Sequence, residues 1–256
     1  MDPISRLQSL YVQKGKHAGY QALSPRLRRL FPEELIANSS RYEAERFSFI
    51  EQALEFSGKR VLDVGANAGY FTFEALERGA ASVAAHEGDP ALGEFLDVAV
   101  DLMGLAERVQ ICRTYFEPSG QSSGPAFDIA LLMNVLHHLG ADFGDVAIAK
   151  EEVLGVVGRH LQRMSEVSRY LVFQLGYCWK GDRNSLLFPH GTKQDQIDFV
   201  NSACAGYWQI LSLGIPCDND GRIAYLPPDS DNLRRVDRLG EFLNRPLFVM
   251  KSLRAE

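Results

Sequence analysis

The chain has 256 residues, 46% of them hydrophobic and 23% charged, with a formal net charge of -6. That is apolar material for one α/β core and little more, and the acidic balance argues against a general nucleic-acid binder. Cys112, Cys178, Cys204 and Cys217 make no C-x-x-C pair or disulfide-like framework. Nor does any apolar run reach bilayer length, or the N-terminus carry a signal-peptide core, so a cytoplasmic protein with reduced thiols is expected.

In chain order, residues 1–57 read as a helical N-terminal extension and residues 58–256 as one α/β domain. Residues 1–31 carry Arg6, Lys14, Lys16, Arg26, Arg28 and Arg29 against Asp2 alone, a local charge of +5 that leaves -11 for the rest. Such a patch can grip phosphates or an anionic surface, although it is more often a solvated helical face. A helix is predicted near 41–56, with Phe47, Ile50 and Leu54 on its apolar side.

The stretch VLDVGANAG, Val61 to Gly69, is the most informative. Residues 60–64 are short, β-branched and apolar except at Asp63, as in a central parallel strand. Gly65 and Gly69 bound a loop, and a helix follows from Tyr70 until Gly79 stops it. A phosphate-cradling P-loop would need Gly-Lys-Ser/Thr, whereas Tyr70 and Phe71 follow Gly69. A dinucleotide fingerprint would need G-x-G-x-x-G, and the second glycine is absent.

VLDVGANAGYFT resembles motif I of the class I S-adenosylmethionine (SAM)-dependent methyltransferases. The resemblance implies a Rossmann-like, doubly wound, seven-stranded, mostly parallel sheet with an antiparallel last strand. It also implies that Gly65, Ala66, Asn67 and Gly69 wrap the methionine part of SAM and that Asp63 neutralises its ammonium group. The next strand, 82–86, delivers a second carboxylate, Glu87, 24 residues after Asp63. The resemblance gives Glu87 the ribose hydroxyls, at a spacing close to the roughly 20 residues of related nucleotide folds.

A third strand over 109–113 leads to Thr114, Tyr115 and Phe116. Many relatives place an aspartate there for the adenine amino group; its absence leaves the backbone of Thr114 and Tyr115, with an aromatic wall, to hold the ring. A fourth strand, 127–132, opens FDIALLMNVLHHL and delivers Asn134, His137 and His138 to the carboxyl edge of the sheet. The resemblance puts Asn134 beside the methionine end of SAM. A hydroxyl acceptor must lose a proton as it attacks, so an imidazole there suits a general base, His138 first and His137 second. Either ring can equally cap a helix or bond backbone.

Helices are expected between all of the first five strands. Val146, Val153, Leu154, Val157, Leu161 and Met164 place a core-facing helix before the fifth strand, 170–174. The loop after it brings Tyr177, Trp179, Lys180, Arg183 and His190, an aromatic and donor mixture suited to a polar acceptor or to packing on a helix at 194–204. Strands at 207–213 and 247–253 should form an antiparallel pair, with a turn at CDNDG and a short extra strand at 222–226.

The stretch from about Arg60 to Leu253 is also similar to methyltransferase domains that modify bacterial surface polysaccharides, and tRNA wobble-uridine enzymes share the core. These likenesses imply O-methylation of a small or carbohydrate-like, sometimes phosphorylated, acceptor, with a nucleic-acid acceptor less favoured. No close-spaced set of carboxylates and histidines suggests a metal. The competing reading from another class is a SAM-binding module without chemistry. Oligomeric state is left open.

Overall fold

The computed structural model describes residues 2–13, 19–36, 40–118 and 126–254. They fall into two compact units, Met1–Phe47 with Leu54–Phe116, and Ser48–Ala53 with Glu117–Glu256. The fold class is α/β, Rossmann-like, with eight strands among the described residues.

In the first unit, β1 (Arg60–Val64), β2 (Ser82–His86) and β3 (Val109–Cys112) lie in the order β3-β2-β1, all parallel. Val61, Leu62, Val83 and Ala85 are buried, so apolar side chains face both sides of this sheet. The N-terminal part supplies α1 (Pro3–Val12), α2 (Pro25–Arg28) and the start of α3 (Glu43–Ala53). Asp2 caps α1 by accepting from the Ile4 and Ser5 N–H groups, and Pro3 fits the first helical turn. From α1, Tyr11 packs against Phe31 and against Phe95 of α5 (Pro90–Leu102), at centroid distances of 5.1 and 6.0 Å. The cluster fastens the extension to the sheet-covering layer.

In the second unit, β4 (Phe127–Met133) and β5 (Ser168–Gln174) are parallel, and the order runs β4-β5-β8-β6-β7. Strand β8 (Leu247–Ser252) is antiparallel to β5 and to β6 (Trp208–Asn219), and β6 turns into β7 (Arg222–Leu226). The predicted extra strand is therefore real and makes the count eight instead of seven. The CDNDG turn is shorter than predicted: pairing persists through Cys217 to Asn219, and Asp220 and Gly221, with φ of 52° and 81°, make the tight connection. Two successive positive φ values match the right-handed twist of the strands they join.

Two further expectations need correction. Among the described residues no helix lies between β3 and β4. The helix before β5, α6, spans Lys150–Val167 and leaves Val146 outside it and 78% exposed. Val153, Val157, Leu161 and Met164 are buried as the periodicity requires; Val146 continued the spacing by coincidence, across a loop. No helix among the described residues is long and apolar enough to cross a membrane.

Candidate functional site

In the first unit the glycine loop joins β1 to α4 (Tyr70–Glu77). The Gly65 and Ala66 N–H groups donate to the His86 carbonyl at 2.9 and 3.0 Å, tying the loop to the end of β2. Gly65, Asn67 and Gly69 have φ of 72°, 53° and 77°, and Asn67 tolerates the left-handed region better than most side chains do. At Gly69 the glycine is required by space as well: a Cβ would lie 2.7 Å from both Leu96 Cδ2 and Phe73 Cε2.

Glu87 is the centre of this half. Its Oε2 accepts the Asn67 N–H at 2.7 Å and its Oε1 accepts the Asp89 N–H at 2.8 Å, so the carboxylate clamps the glycine loop to the start of α5. A carboxylate oxygen can accept more than one hydrogen bond. Gly88 lies under the Tyr115 ring, where a Cβ would fall 2.4 Å from the ring carbons, and Tyr115 is 44% exposed. That half-exposed ring thus lies against the residue that follows Glu87. Thr114 meets the His86 imidazole through its backbone, and Phe116 packs edge-on to His86 at 4.9 Å.

Asp63 lies deeper than Glu87. It is fully buried, accepts the Thr72 hydroxyl at 2.7 Å, and burial with the nearby Glu87 charge pushes its pKa up to about 6. The side chain that reaches the start of α4 is one the sequence did not suggest: Gln21 Oε1 accepts the Tyr70 N–H at 2.9 Å. The only signal for Gln21 was its place in the N-terminal segment. Three arginines of the basic arm are paired. Arg6 meets Glu94, Arg26 meets Glu77 and Arg28 meets Glu33, at 2.5, 3.0 and 2.8 Å. Lys14 and Lys16 lie outside the described residues.

In the second unit Asn134 ends β4 with φ of 63°. Its N–H donates to the Gln174 carbonyl, its Nδ2 to Gln174 Oε1 and its Oδ1 accepts from Arg245 Nη1, at 2.8, 2.9 and 2.8 Å. Arg245 is itself buried and paired with Glu241 at 2.6 Å. Both ends of the Asn134 amide are thus engaged within the fold. Neither partner was singled out in the sequence: Gln174 appears there only as the end of the fifth strand, and 111 residues separate Arg245 from Asn134.

The two histidines differ sharply. His137 is 1% exposed, and its Nδ1 accepts the Gly176 N–H at 3.3 Å. Burial, Arg245 and His138 hold its pKa well below the ordinary value, which favours the neutral ring. His138 keeps 20% of its side chain exposed and has Asp142 Oδ2 3.4 Å from its Nδ1. In the following loop, Trp179 Nε1 donates to the Leu139 carbonyl at 2.8 Å and Lys180 lies 4.2 Å from the Trp179 ring centroid. Tyr177 is buried, while Arg183 and His190 are exposed. Phe188 packs on Phe199 of α7 (Lys193–Cys204) at 5.7 Å, so part of this loop serves packing. Among the described residues no group of three or more His, Cys, Asp or Glu side chains is placed to hold a metal.

No protein-family model matches the sequence, and no curated protein matches it. Solved structures do. The [4+2]-cyclase SpnF superposes with a TM-score of 0.51 at 13% identity, covering 82% of this chain and 80% of its own. The bifunctional kinase-methyltransferase WbdD gives 0.51 at 13% identity, covering 81% of this chain and 38% of WbdD. The fold is that of the class I methyltransferases. Since a cyclase and a kinase-methyltransferase both carry it, this fold fixes the scaffold and leaves the chemistry to the site.

Proposed function

We propose that the protein is a SAM-dependent methyltransferase acting on a hydroxyl oxygen of a small or carbohydrate-like acceptor. The observation that carries the reading is Glu87, whose two oxygens are each held by a backbone N–H of a neighbouring loop at the end of β2. A carboxylate fixed in that way presents a pair of acceptors, which is what a ribose diol needs. The residues present fit the cofactor: Gly65, Ala66, Asn67 and Gly69 form the loop, Gly88 leaves room for Tyr115 to face an adenine, and Asp63 supplies negative charge behind the loop.

SAM, when bound, supplies a methyl group on a positively charged sulfur, so the protein has little electronic work to do beyond placing the acceptor and removing its proton. His138 is the base in this reading, because it is the accessible member of the pair. The motif resemblance assigns Asn134, held by Gln174 and Arg245, to the methionine portion. The loop bearing Trp179, Lys180 and Arg183 would meet the acceptor, Lys180 and Arg183 suiting an anionic or phosphorylated one.

Calorimetric titration with SAM, S-adenosylhomocysteine and NAD tests the cofactor. Labelled methyl transfer to methyl hexosides, hexose phosphates and total tRNA tests the acceptor class. Tighter binding of NAD than of SAM would overturn the reading. Labelling of tRNA alone would move the acceptor to nucleic acid, and SAM binding without transfer to any probe would favour a binding module.

A further inference from the structure

We propose that Asp142 is the positioning residue for His138, holding its imidazole by Nδ1 so that Nε2 takes the acceptor proton. This rests on the reading of the protein as an oxygen methyltransferase with His138 as base. The turn after His138 brings the carboxylate back over the ring: the Ala141 and Asp142 N–H groups both donate to the His138 carbonyl, at 2.9 and 3.1 Å, and the Gly140 N–H donates to Phe143 at 2.8 Å.

The turn is over-determined. Gly140 and Gly144 have φ of 80° and 74°, and Cβ atoms there would meet Ile148 Cγ2 at 2.6 Å and Leu139 Cδ1 at 2.5 Å. Trp179 fastens the Leu139 carbonyl from the neighbouring loop at 2.8 Å. Backbone this constrained fixes where Asp142 stands, and Asp142 Oδ2 stands 3.4 Å from His138 Nδ1. That nitrogen is shut off from solvent. A separation of this size in a ligand-free site is the kind that tightens when substrate arrives.

The charges around the ring give the carboxylate its purpose. The His137 ring packs 4.2 Å from it, Lys180 passes beside Gly140 on the Trp179–Gly181 turn, and Arg245 lies near His137. Lys180 is a cation beside this turn and disfavours an imidazolium; Asp142 is the anion that favours one. A carboxylate at Nδ1 also fixes the tautomer with its proton there, leaving Nε2 basic. With SAM as methyl donor, its carbon–sulfur electron pair leaving on sulfur, the acceptor proton would pass to His138 Nε2 as the oxygen bonds to the methyl carbon, and the imidazolium would later return it to water.

The test uses the full chain with Asp142→Asn, Asp142→Glu and His138→Gln. The His138 imidazole is titrated by NMR with S-adenosylhomocysteine bound, its signal assigned by loss in His138→Gln. Turnover is measured on whichever hexoside or hexose phosphate is labelled. In Asp142→Asn the titration midpoint should move to lower pH by about half a unit to one unit. The turnover number should fall about 10- to 100-fold with SAM affinity unchanged, and Asp142→Glu should recover part of both. An unmoved midpoint, or normal turnover in Asp142→Asn beside an inactive His138→Gln, overturns the role of Asp142 alone. Wild-type turnover in His138→Gln overturns the histidine-base reading and this inference with it.

Discussion

Asp63 is a carboxylate that water does not reach, and its raised pKa has a definite sign. Because the folded protein binds the Asp63 proton more tightly than the unfolded chain, the contribution to stability is complete below the ordinary value near 3.8 and is lost as pH rises through about 6. Asp63→Asn removes the charge while an amide oxygen can still accept from Thr72. The ligand-free variant should therefore melt a few degrees above wild type at pH 7, an effect on the order of 2 kcal/mol, and the gap should close at pH 4 in scanning calorimetry. Glu87→Gln weakens a charge-assisted clamp, so SAM affinity should fall about 10- to 100-fold by calorimetric titration. A variant that binds as wild type would remove Glu87 from the cofactor site. Both carboxylates were legible in the sequence because each ends an apolar strand. Arg245 was not, because a partner 111 residues away leaves no local pattern.

At the scale of elements, the strand bounds β1, β2 and β7 follow from short apolar runs bounded by Gly or Pro, whose turn chemistry is local. Periodicity failed at Val146 because a three-to-four-residue spacing says nothing about whether the backbone between its members is helical. The glycines separate two kinds of requirement. Gly69→Ala meets Leu96 and Phe73 as well as a φ of 77°, whereas Gly104→Ala, at φ 66°, meets nothing within 4 Å. Denaturant unfolding should show Gly69→Ala costing about 3 kcal/mol and Gly104→Ala about 1 kcal/mol. Equal losses would mean that conformation, and not packing against α5, decides the loop.

For the whole molecule, the basic arm changes meaning once its partners are known. Arg6, Arg26 and Arg28 are spent on surface acids of their own unit, where exposed pairs contribute little. What fastens the arm is the Tyr11, Phe31 and Phe95 cluster. Phe31→Ala should cost about 3 kcal/mol in unfolding experiments and Arg6→Ala less than about 1 kcal/mol, with little salt dependence in either. A large, salt-sensitive effect of Arg6→Ala would show that charge holds the segment. By itself the sequence determined the α/β class, the glycine loop and the two carboxylates, because strand pattern and turn chemistry are local. Only the tertiary structure decided that Asn134 is held by Arg245, that His137 is buried while His138 stays accessible, and that Gln21 reaches α4. Burial and long-range hydrogen bonds depend on which segments meet, and no local spacing encodes that.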